Sequence, residues 1–215
     1  MKIKICGITN LADALLCESN GADAIGFIFY TGSKRHIMPD EAQRITEQLN
    51  PFTIKVGVFV DENPVLINQI VKDVGLNMVQ LHGGETPEEI SMISVPAIKA
   101  FRVTYNFDFN ILEHYKNSFL LLDSYDKEEL GGTGKTFNWQ VIPQHLKSKI
   151  ILAGGINSEN IDYVYHNIKP QAIDVSSSLE FYPGKKDKEK VIQFFNKIKS
   201  LRSNYADNDE FKLTP

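Results

Sequence analysis

Three features that would narrow the class of this protein are scarce in its sequence. Only two cysteines, Cys6 and Cys17, occur among 215 residues. That is too few for a disulfide framework, so we expect a reducing, cytoplasmic compartment. Lysine and arginine (23) do not outnumber aspartate and glutamate (27), which argues against a nucleic-acid partner. No apolar run approaches the roughly 18 residues of a membrane span, and Asn10 and Asp13 interrupt the stretch that a signal peptide needs.

Short apolar segments recur along the whole chain, with starts about 19 to 30 residues apart. Each is too short for a helix and too continuously apolar for a strand with one solvated face. We therefore predict parallel strands that are buried on both faces. The segments are KIKIC (2–6), AIGFIFY (24–30), TIKVGVFV (53–60), MVQLH (78–82), AIKAFRV (97–103), FLLLDSY (119–125), KIILAGG (149–155) and AIDVSSS (172–178).

The segments between these strands begin with residues that favour the start of a helix. We predict helices after Asn10, from Pro39, from Pro64, after Thr86 and after Asp187. Eight strand-then-helix units favour an α/β fold in which the strands close into a (β/α)₈ TIM barrel, because right-handed crossovers place every helix on one side. A doubly wound open sheet is the alternative.

No linker divides the chain. We expect a single (β/α)₈ barrel domain over residues 1–202, followed by a polar C-terminal tail, 203–215. The basic segment GKKDKEK (184–190) mixes charges of both signs, which predicts a helix face in water. GGTGKT (131–136) fails as a nucleotide-binding loop because Glu129 occupies the position where a glycine is required. A flexible loop that covers the site is the favoured interpretation.

Polar residues cluster at the carboxyl ends of the predicted strands. In a closed parallel barrel these ends share one rim, where the loops build the active site. The candidate site residues at or just beyond these ends are Cys6, Arg35, His82, Asp123, Gly154, Gly155, Asp174, Ser176 and Ser177.

Several of these side chains have two interpretations. Cys6 is either a small buried residue or a general base whose pKa is lowered by a helix N-terminus or a neighbouring cation. Asp123 is either a buried acid with a catalytic task or a helix cap. Arg35 is a solvated charge or a ligand for a carboxylate. For His82, hydrogen bonding is favoured over metal binding, because no second ligand lies at metal spacing.

A phosphate site is expected after the seventh and eighth strands. The pair Gly154–Gly155 lets backbone N–H groups approach an anion, and a helix that opens near Asn157 would add its dipole. Ser176 and Ser177 could add hydroxyl and amide donors. The alternative is a helix-start turn that binds no ligand.

Taken together, these segments resemble the phosphoribosylanthranilate isomerase family of tryptophan biosynthesis, from about residue 2 to residue 200. The motifs that carry the resemblance are KICGITN (4–10), GFIFYTGSKRHIMP (26–39), VGVFV (56–60), VQLHG (79–83), LLDSY (121–125), GGTGKTFNW (131–139), LAGGINSEN (152–160), and IDVSSSLE followed by PGKKD (173–187).

The resemblance implies an Amadori rearrangement of an aminoaldose to an aminoketose, without a metal or an organic cofactor. It assigns the general base to Cys6 and the general acid to Asp123, whose pKa values should be shifted in opposite directions. It assigns the anthranilate carboxylate to Arg35. His82 joins the substrate-binding residues, and the glycine pair with Asp174, Ser176 and Ser177 forms the phosphate-side wall. The expected partner is this small-molecule substrate, with a monomer favoured over a dimer.

The sequence departs from the family pattern at one position, and two other functions compete with this assignment. Ser178 stands where the family has a glycine. If that glycine takes a positive φ, the serine costs roughly 1 kcal/mol or shifts the loop. The related isomerase of histidine biosynthesis is disfavoured, because it uses two aspartates and binds two phosphates. A non-catalytic barrel that binds sugar phosphates is the rival from another class, although it would have no need of Cys6 or Asp123.

Overall fold

The computed structural model of the chain describes residues 1–124 and 137–210, and the eight predicted segments form one closed parallel sheet. The strands are β1 (Lys2–Ile5), β2 (Ala24–Ile28), β3 (Ile54–Phe59), β4 (Met78–Leu81), β5 (Ala97–Val103), β6 (Phe119–Ser124), β7 (Ile150–Leu152) and β8 (Ala172–Val175). They pair in chain order, and β1 closes the sheet on β8 with Lys2 opposite Ala172. The predicted barrel is confirmed, and the open sheet is wrong.

Successive side chains of each strand point alternately to the barrel interior and to the surrounding helices. On β1, Ile3 and Ile5 belong to the large apolar core between the sheet and the helices. Lys4 and Cys6 have the opposite parity and so point inward. A second, smaller apolar cluster comprises Ala24, Val56, Ile98, Ala100, Leu121, Ile151 and Ala153.

Seven α-helices are seen in the described part of the chain. They are α1 (Leu11–Asn20), α2 (Pro39–Thr46), α3 (Pro64–Val74), α4 (Pro87–Ser91), α5 (Gln144–Lys147), α6 (Ile161–Tyr163) and α7 (Lys188–Glu210). All five predicted helix starts are confirmed. Asn10 Oδ1 accepts a hydrogen bond from the Asp13 backbone N–H at 3.0 Å, which caps α1. Thr86 forms a reciprocal capping box with Glu89.

Some connections differ from the prediction. A 3₁₀-helix at Phe109–Tyr115 lies between β5 and β6, and a π-helical turn, Val164–Ile168, continues α6. Helix α7 extends to Glu210, so the expected boundary at residue 202 falls inside it. No glycine or proline occurs in 203–210 to interrupt the helix. The predicted covering loop at 131–136 lies outside the described residues.

A hairpin follows β8, and the sequence did not predict it. Strands β9 (Glu180–Tyr182) and β10 (Lys185–Lys186) pair antiparallel. The segment 184–190 was expected as a solvated helix face, and for its first residues this is wrong. Lys186 is buried, and its backbone N–H donates to Asp13 Oδ2 of α1 at 2.7 Å. Within the described ranges, no helix combines the length and apolar character needed to cross a bilayer.

Candidate active site

One cavity at the carboxyl ends of the strands collects every site residue expected from the sequence. These residues are Cys6, Arg35, His82, Asp123, Gly154, Gly155, Asp174, Ser176 and Ser177. Gln80 and Tyr30 line the same cavity, as does Ser178, which stands where the family has a glycine. The barrel thus brings together residues from six strands and the loops that follow them, which no local segment of the chain could do.

Asp123, next to the end of β6, is a buried carboxyl group. Its Oδ1 accepts a hydrogen bond from the backbone N–H of Ser124 at 2.8 Å. Burial raises its pKa to about 6, and the negative charge of Asp174 acts in the same direction. This group is therefore protonated to a far greater extent near neutral pH than an ordinary aspartate, so it can donate a proton.

His82, which follows β4, lies beside this acid in its neutral form. Burial lowers its pKa to about 3, with a further contribution from the charge of Arg102. Its Nδ1 lies 3.2 Å from the amide nitrogen of Gln80, which donates to it, so the ring proton belongs on Nε2. That nitrogen lies 3.5 Å from Asp123 Oδ2. Among the described residues no cluster of three or more His, Cys, Asp or Glu side chains could hold a metal ion.

Cys6 is buried on the inner face of the barrel, beside the ammonium group of Lys4. Lys4 Nζ donates to Asp174 Oδ2 at 2.8 Å, and its positive charge acts on the Cys6 thiol. Gly26 on the next strand makes room for both groups, since a Cβ there would lie 2.9 Å from Cys6 Sγ. The neighbouring cation expected from the sequence is present. However, burial raises the Cys6 pKa by more than Lys4 lowers it, so the expected net decrease is wrong.

Arg35 is not a solvated charge. Its guanidinium forms a two-pronged ion pair with Glu180 on β9, with Nε–Oε1 at 2.9 Å and Nη2–Oε2 at 2.8 Å. The same oxygen, Glu180 Oε1, also accepts a hydrogen bond from Lys186 Nζ at 3.0 Å. The arginine stem lies over Gly7, where φ is +75° and a Cβ would come within 2.6 Å of Arg35 Cδ. Glycine is therefore required at that position.

The loops after β7 and β8 form the opposite wall. Gly154 has φ of +84°, and a Cβ there would lie 2.7 Å from the Ser124 backbone nitrogen. Gly155 also has a positive φ, 65°. Ser178, in contrast, is not among the described residues with positive φ, so the strain considered for it does not arise. Its hydroxyl donates to the Ile156 carbonyl oxygen at 2.6 Å and ties the two loops together.

The helix expected near Asn157 begins later, at Ile161, and contains only three α-helical residues before the π-helical turn. Asparagine side-chain oxygens accept hydrogen bonds from the backbone N–H groups that precede this helix. The Asn157 N–H donates to Asn160 Oδ1 at 2.9 Å, and the Glu159 N–H donates to Asn157 Oδ1 at 2.9 Å. The predicted helix dipole is therefore not part of this wall, which is built from loop backbone and serine hydroxyls.

The whole barrel matches one protein family. The family model for N-(5'-phosphoribosyl)anthranilate isomerase matches residues 3–197. The chain belongs to this family. A relative of that name from Trichlorobacter lovleyi is 44% identical over 201 residues, covering 93% of this chain and 98% of the relative. The match confirms the resemblance carried by the motifs, and with it an isomerase of tryptophan biosynthesis.

Two solved isomerases of the family have the same barrel. The structure from Thermotoga maritima superposes with a TM-score of 0.86 at 42% identity, over 93% of this chain and 99% of that one. Another contains reduced 1-(o-carboxyphenylamino)-1-deoxyribulose 5-phosphate. It superposes with a TM-score of 0.82 at 40% identity, over 93% of this chain and 99% of that one.

Three charged residues of this isomerase site were missed in the sequence. Lys4 could have been predicted from the sequence, because it lies two positions before Cys6 in the first strand segment, and residues two apart lie on the same face of a strand. Glu180 and Lys186 carry none, since both belong to the unpredicted hairpin and the local charge pattern of 184–190 is typical of a solvated surface.

Proposed function

We propose that this isomerase converts N-(5'-phosphoribosyl)anthranilate into 1-(o-carboxyphenylamino)-1-deoxyribulose 5-phosphate by acid–base catalysis, with Asp123 as the acid and Cys6 as the base. The observation that carries the proposal is their shared cavity, in which burial raises the pKa of Asp123 to about 6 and the charge of Lys4 acts on the thiol. The raised pKa of Asp123 suits the transfer of a proton to the substrate. The pKa of Cys6 is raised as well, contrary to the opposite shifts that the sequence predicts, so the charge of Lys4 is what favours the thiolate that takes a proton from the substrate.

The acid step opens the sugar ring. Protonated Asp123 gives its proton to the ring oxygen as the C1'–O bond breaks, and the nitrogen lone pair forms the C1'=N bond of a Schiff base. The carboxylate that remains accepts from Ser124 through the 2.8 Å backbone hydrogen bond. The neutral His82, with Nε2 at 3.5 Å, faces the same carboxylate and helps to orient it.

The base step removes a carbon-bound proton. The Cys6 thiolate takes the proton from C2', the electron pair of that C–H bond forms the C1'=C2' bond of an enolamine, and the π pair of the C1'=N bond returns to nitrogen. Protonation at C1' and loss of the hydroxyl proton at O2' then give the ketone. Lys4 provides the positive charge next to the sulfur, which favours the thiolate against the effect of burial.

The remaining cavity residues would bind the substrate. Arg35 suits the aromatic carboxylate as a cation that lines the cavity, with its Nε and Nη2 edge held by Glu180. The backbone of Gly154 and Gly155 with the hydroxyls of Ser176 and Ser177 suits the phosphate. Asp174 Oδ1 is buried at the cavity wall without a hydrogen-bond partner among the described residues, so it can accept from a sugar hydroxyl.

Turnover tests the proposal against a barrel that only binds sugar phosphates. Freshly generated phosphoribosylanthranilate loses its anthranilate fluorescence on rearrangement, so purified protein should accelerate that loss in proportion to its concentration. The background is the loss without protein. Tight binding of the substrate with no loss above background would leave only the binding function.

We also propose that the chain forms a homodimer, although the sequence favours a monomer. At the amino-terminal end of the barrel an apolar hollow is bordered by Phe52, Ile54 and Phe119, with exposures of 93%, 39% and 43%. Contiguous exposed apolar surface of this kind is typical of an interface. A Thermotoga maritima relative is described as dimeric. Light scattering should give twice the chain mass for the wild type and the chain mass for Phe52→Lys; one chain mass for both would support the monomer.

For the compartment we propose the cytoplasm. Both cysteines are free thiols, as expected in a reducing environment. Cell fractionation followed by detection of the chain would test this, and recovery in a membrane or secreted fraction would contradict it.

A further inference from the structure

Three buried polar atoms in the wall of the active-site cavity have no hydrogen-bond partner among the described residues. They are Gln80 Oε1, His82 Nε2 and Asp174 Oδ1. Because buried polar atoms in folded proteins nearly always have a partner, an unpaired atom in a binding cavity indicates a contact that a ligand can complete. The proposed reaction gives His82 and Asp174 a task, whereas Gln80 has none in it.

Gln80 lies on β4, on the inner face of the barrel. It is in register with Val58 of β3 and with Ile98 of β5, and Ile98 belongs to the apolar interior. The residue is only 2% exposed. Burial removes the amide from water, so a polar atom of this group that lacks a partner destabilises the folded chain. Packing alone would therefore favour an apolar side chain at this position.

The amide nitrogen of Gln80 already has a partner, and this contact orients the rest of the group. Nε2 donates to His82 Nδ1 at 3.2 Å. Since the nitrogen and the oxygen occupy the two branches of one planar amide, this hydrogen bond determines which branch the oxygen occupies. Oε1 accepts hydrogen bonds but cannot donate them, so its missing partner is an N–H or O–H group.

The sugar of the proposed substrate supplies donors of this kind. The ionised phosphate and carboxylate of phosphoribosylanthranilate only accept hydrogen bonds, and its N–H lies next to the ortho carboxylate, which can accept from it within the molecule. The sugar hydroxyls remain as donors. The two unpaired acceptors of the cavity, Gln80 Oε1 and Asp174 Oδ1, therefore match hydroxyl groups of the sugar.

We propose that Gln80 determines specificity for the sugar: its Oε1 accepts a hydrogen bond from one hydroxyl of the substrate, so that the site distinguishes a ribosyl group from a deoxyribosyl group. The inference rests on the proposed substrate and adds a contact that neither proton transfer requires. A sugar without that hydroxyl would leave the buried oxygen unpaired, and sites built to bind a hydroxyl reject such analogues strongly.

Four ligands test the proposal by calorimetry. They are reduced 1-(o-carboxyphenylamino)-1-deoxyribulose 5-phosphate and its three analogues that lack the hydroxyl at C2, C3 or C4 of the sugar chain. Wild type should bind one or more of these analogues about tenfold or more weakly than the complete compound. Gln80→Met has similar length and no amide. It should reduce that discrimination to about threefold or less for one analogue and leave it unchanged for the other two.

Two further variants separate the acceptor oxygen from the packing of the side chain. Gln80→Glu keeps an oxygen acceptor, so its discrimination should stay close to that of wild type. Any added charge acts alike on the four ligands, which carry the same charges, and cancels in the ratio of their affinities. Gln80→Leu replaces Gln80→Met in the comparison if the methionine variant does not fold.

The matched control is Gln69→Met on α3. Gln69 is exposed, and its amide nitrogen donates to Asp73 of the same helix at 2.8 Å. This substitution removes the same chemical group far from any unpaired buried atom, so all four affinities should stay unchanged.

The outcomes distinguish the role of Gln80 from the function on which it rests. Equal weakening of all four ligands by Gln80→Met, or discrimination that this variant leaves unchanged, would overturn the inference and leave the proposed substrate in place. Equal binding of the four ligands to wild type would do the same. If wild type binds none of them, the proposed substrate is wrong, and the role of Gln80 with it.

Discussion

The two ends of the barrel are built from the same eight strands, yet they bury opposite kinds of side chain. The carboxyl end holds ion pairs such as Lys4–Asp174 and Arg35–Glu180. The interior toward the amino end contains apolar side chains such as Val56, Ile98 and Ile151. Apolar burial stabilises a fold at about 25 cal/mol per Å², whereas buried ion pairs contribute little net stability.

The difference indicates a division of tasks along one sheet. The amino-terminal half of the interior should stabilise the fold, and the carboxyl end should position charge for chemistry. Substitutions at the two ends should therefore have separable effects on turnover and on stability.

The largest loss of turnover is expected for Cys6→Ser and Asp123→Asn. Each removes a group that transfers a proton, so kcat should fall by about 100-fold or more, the usual contribution of such groups. The substitutions change little volume, and the urea midpoint should stay close to wild type. Steady-state kinetics by the fluorescence assay, together with urea unfolding, measures both quantities.

The chain offers a matched control for the thiol. Cys17 on α1 is equally buried, and burial raises its pKa to about 12, which makes it inert as a base. Cys17→Ser should keep near-normal kcat. Near-normal turnover of Cys6→Ser would remove that thiol from the mechanism, and the same result for Asp123→Asn would remove the acid.

A smaller loss is expected for His82→Asn. The imidazole Nε2 lies 3.5 Å from Asp123 Oδ2, and in the proposed mechanism it orients the acid without exchanging a proton with the substrate. We expect kcat to fall about tenfold, between no effect and the roughly 100-fold of a direct acid. A loss as large as that of Asp123→Asn would mean that His82 itself transfers a proton, and an unchanged kcat would remove its orienting role.

Substitutions in the apolar interior at the amino-terminal end of the barrel should not change turnover. Ile98→Ala opens a cavity in the apolar interior, where Ile98 is 3% exposed. The free energy of unfolding should fall by about 2–5 kcal/mol, while kcat stays unchanged. Urea unfolding and the fluorescence assay measure the two effects. A drop in kcat without a drop in stability would contradict the division between the ends.

Much of this arrangement could be predicted from the sequence because the barrel imposes simple patterns. Strands buried on both faces leave continuous apolar segments, so all eight were found. Helix caps are local, so residues such as Asn10 and Thr86 identified their helix starts. Residues at strand ends share one rim, which brought Cys6, Arg35 and Asp123 into one cavity.

The rest depends on long-range contacts and on burial, which local patterns do not contain. Arg35 and Glu180 lie 145 positions apart, and their pairing follows from the packing of a hairpin that no apolar segment predicted. Lys186 lies in a mixed-charge segment that resembles a solvated surface. The direction of the Cys6 pKa shift was wrong because a sequence identifies neighbouring charges but not the depth at which the thiol is buried.

The most direct test of the acid–base account is the pH dependence of the ratio of kcat/KM between wild type and Asp123→Asn. Substrate and thiol titrate in both enzymes and cancel, so the ratio reports the protonated fraction of Asp123. With a pKa of about 6, the ratio should be constant below pH 6 and fall about tenfold per pH unit above it. A ratio that stays constant through pH 8 would contradict the assignment of Asp123 as the acid.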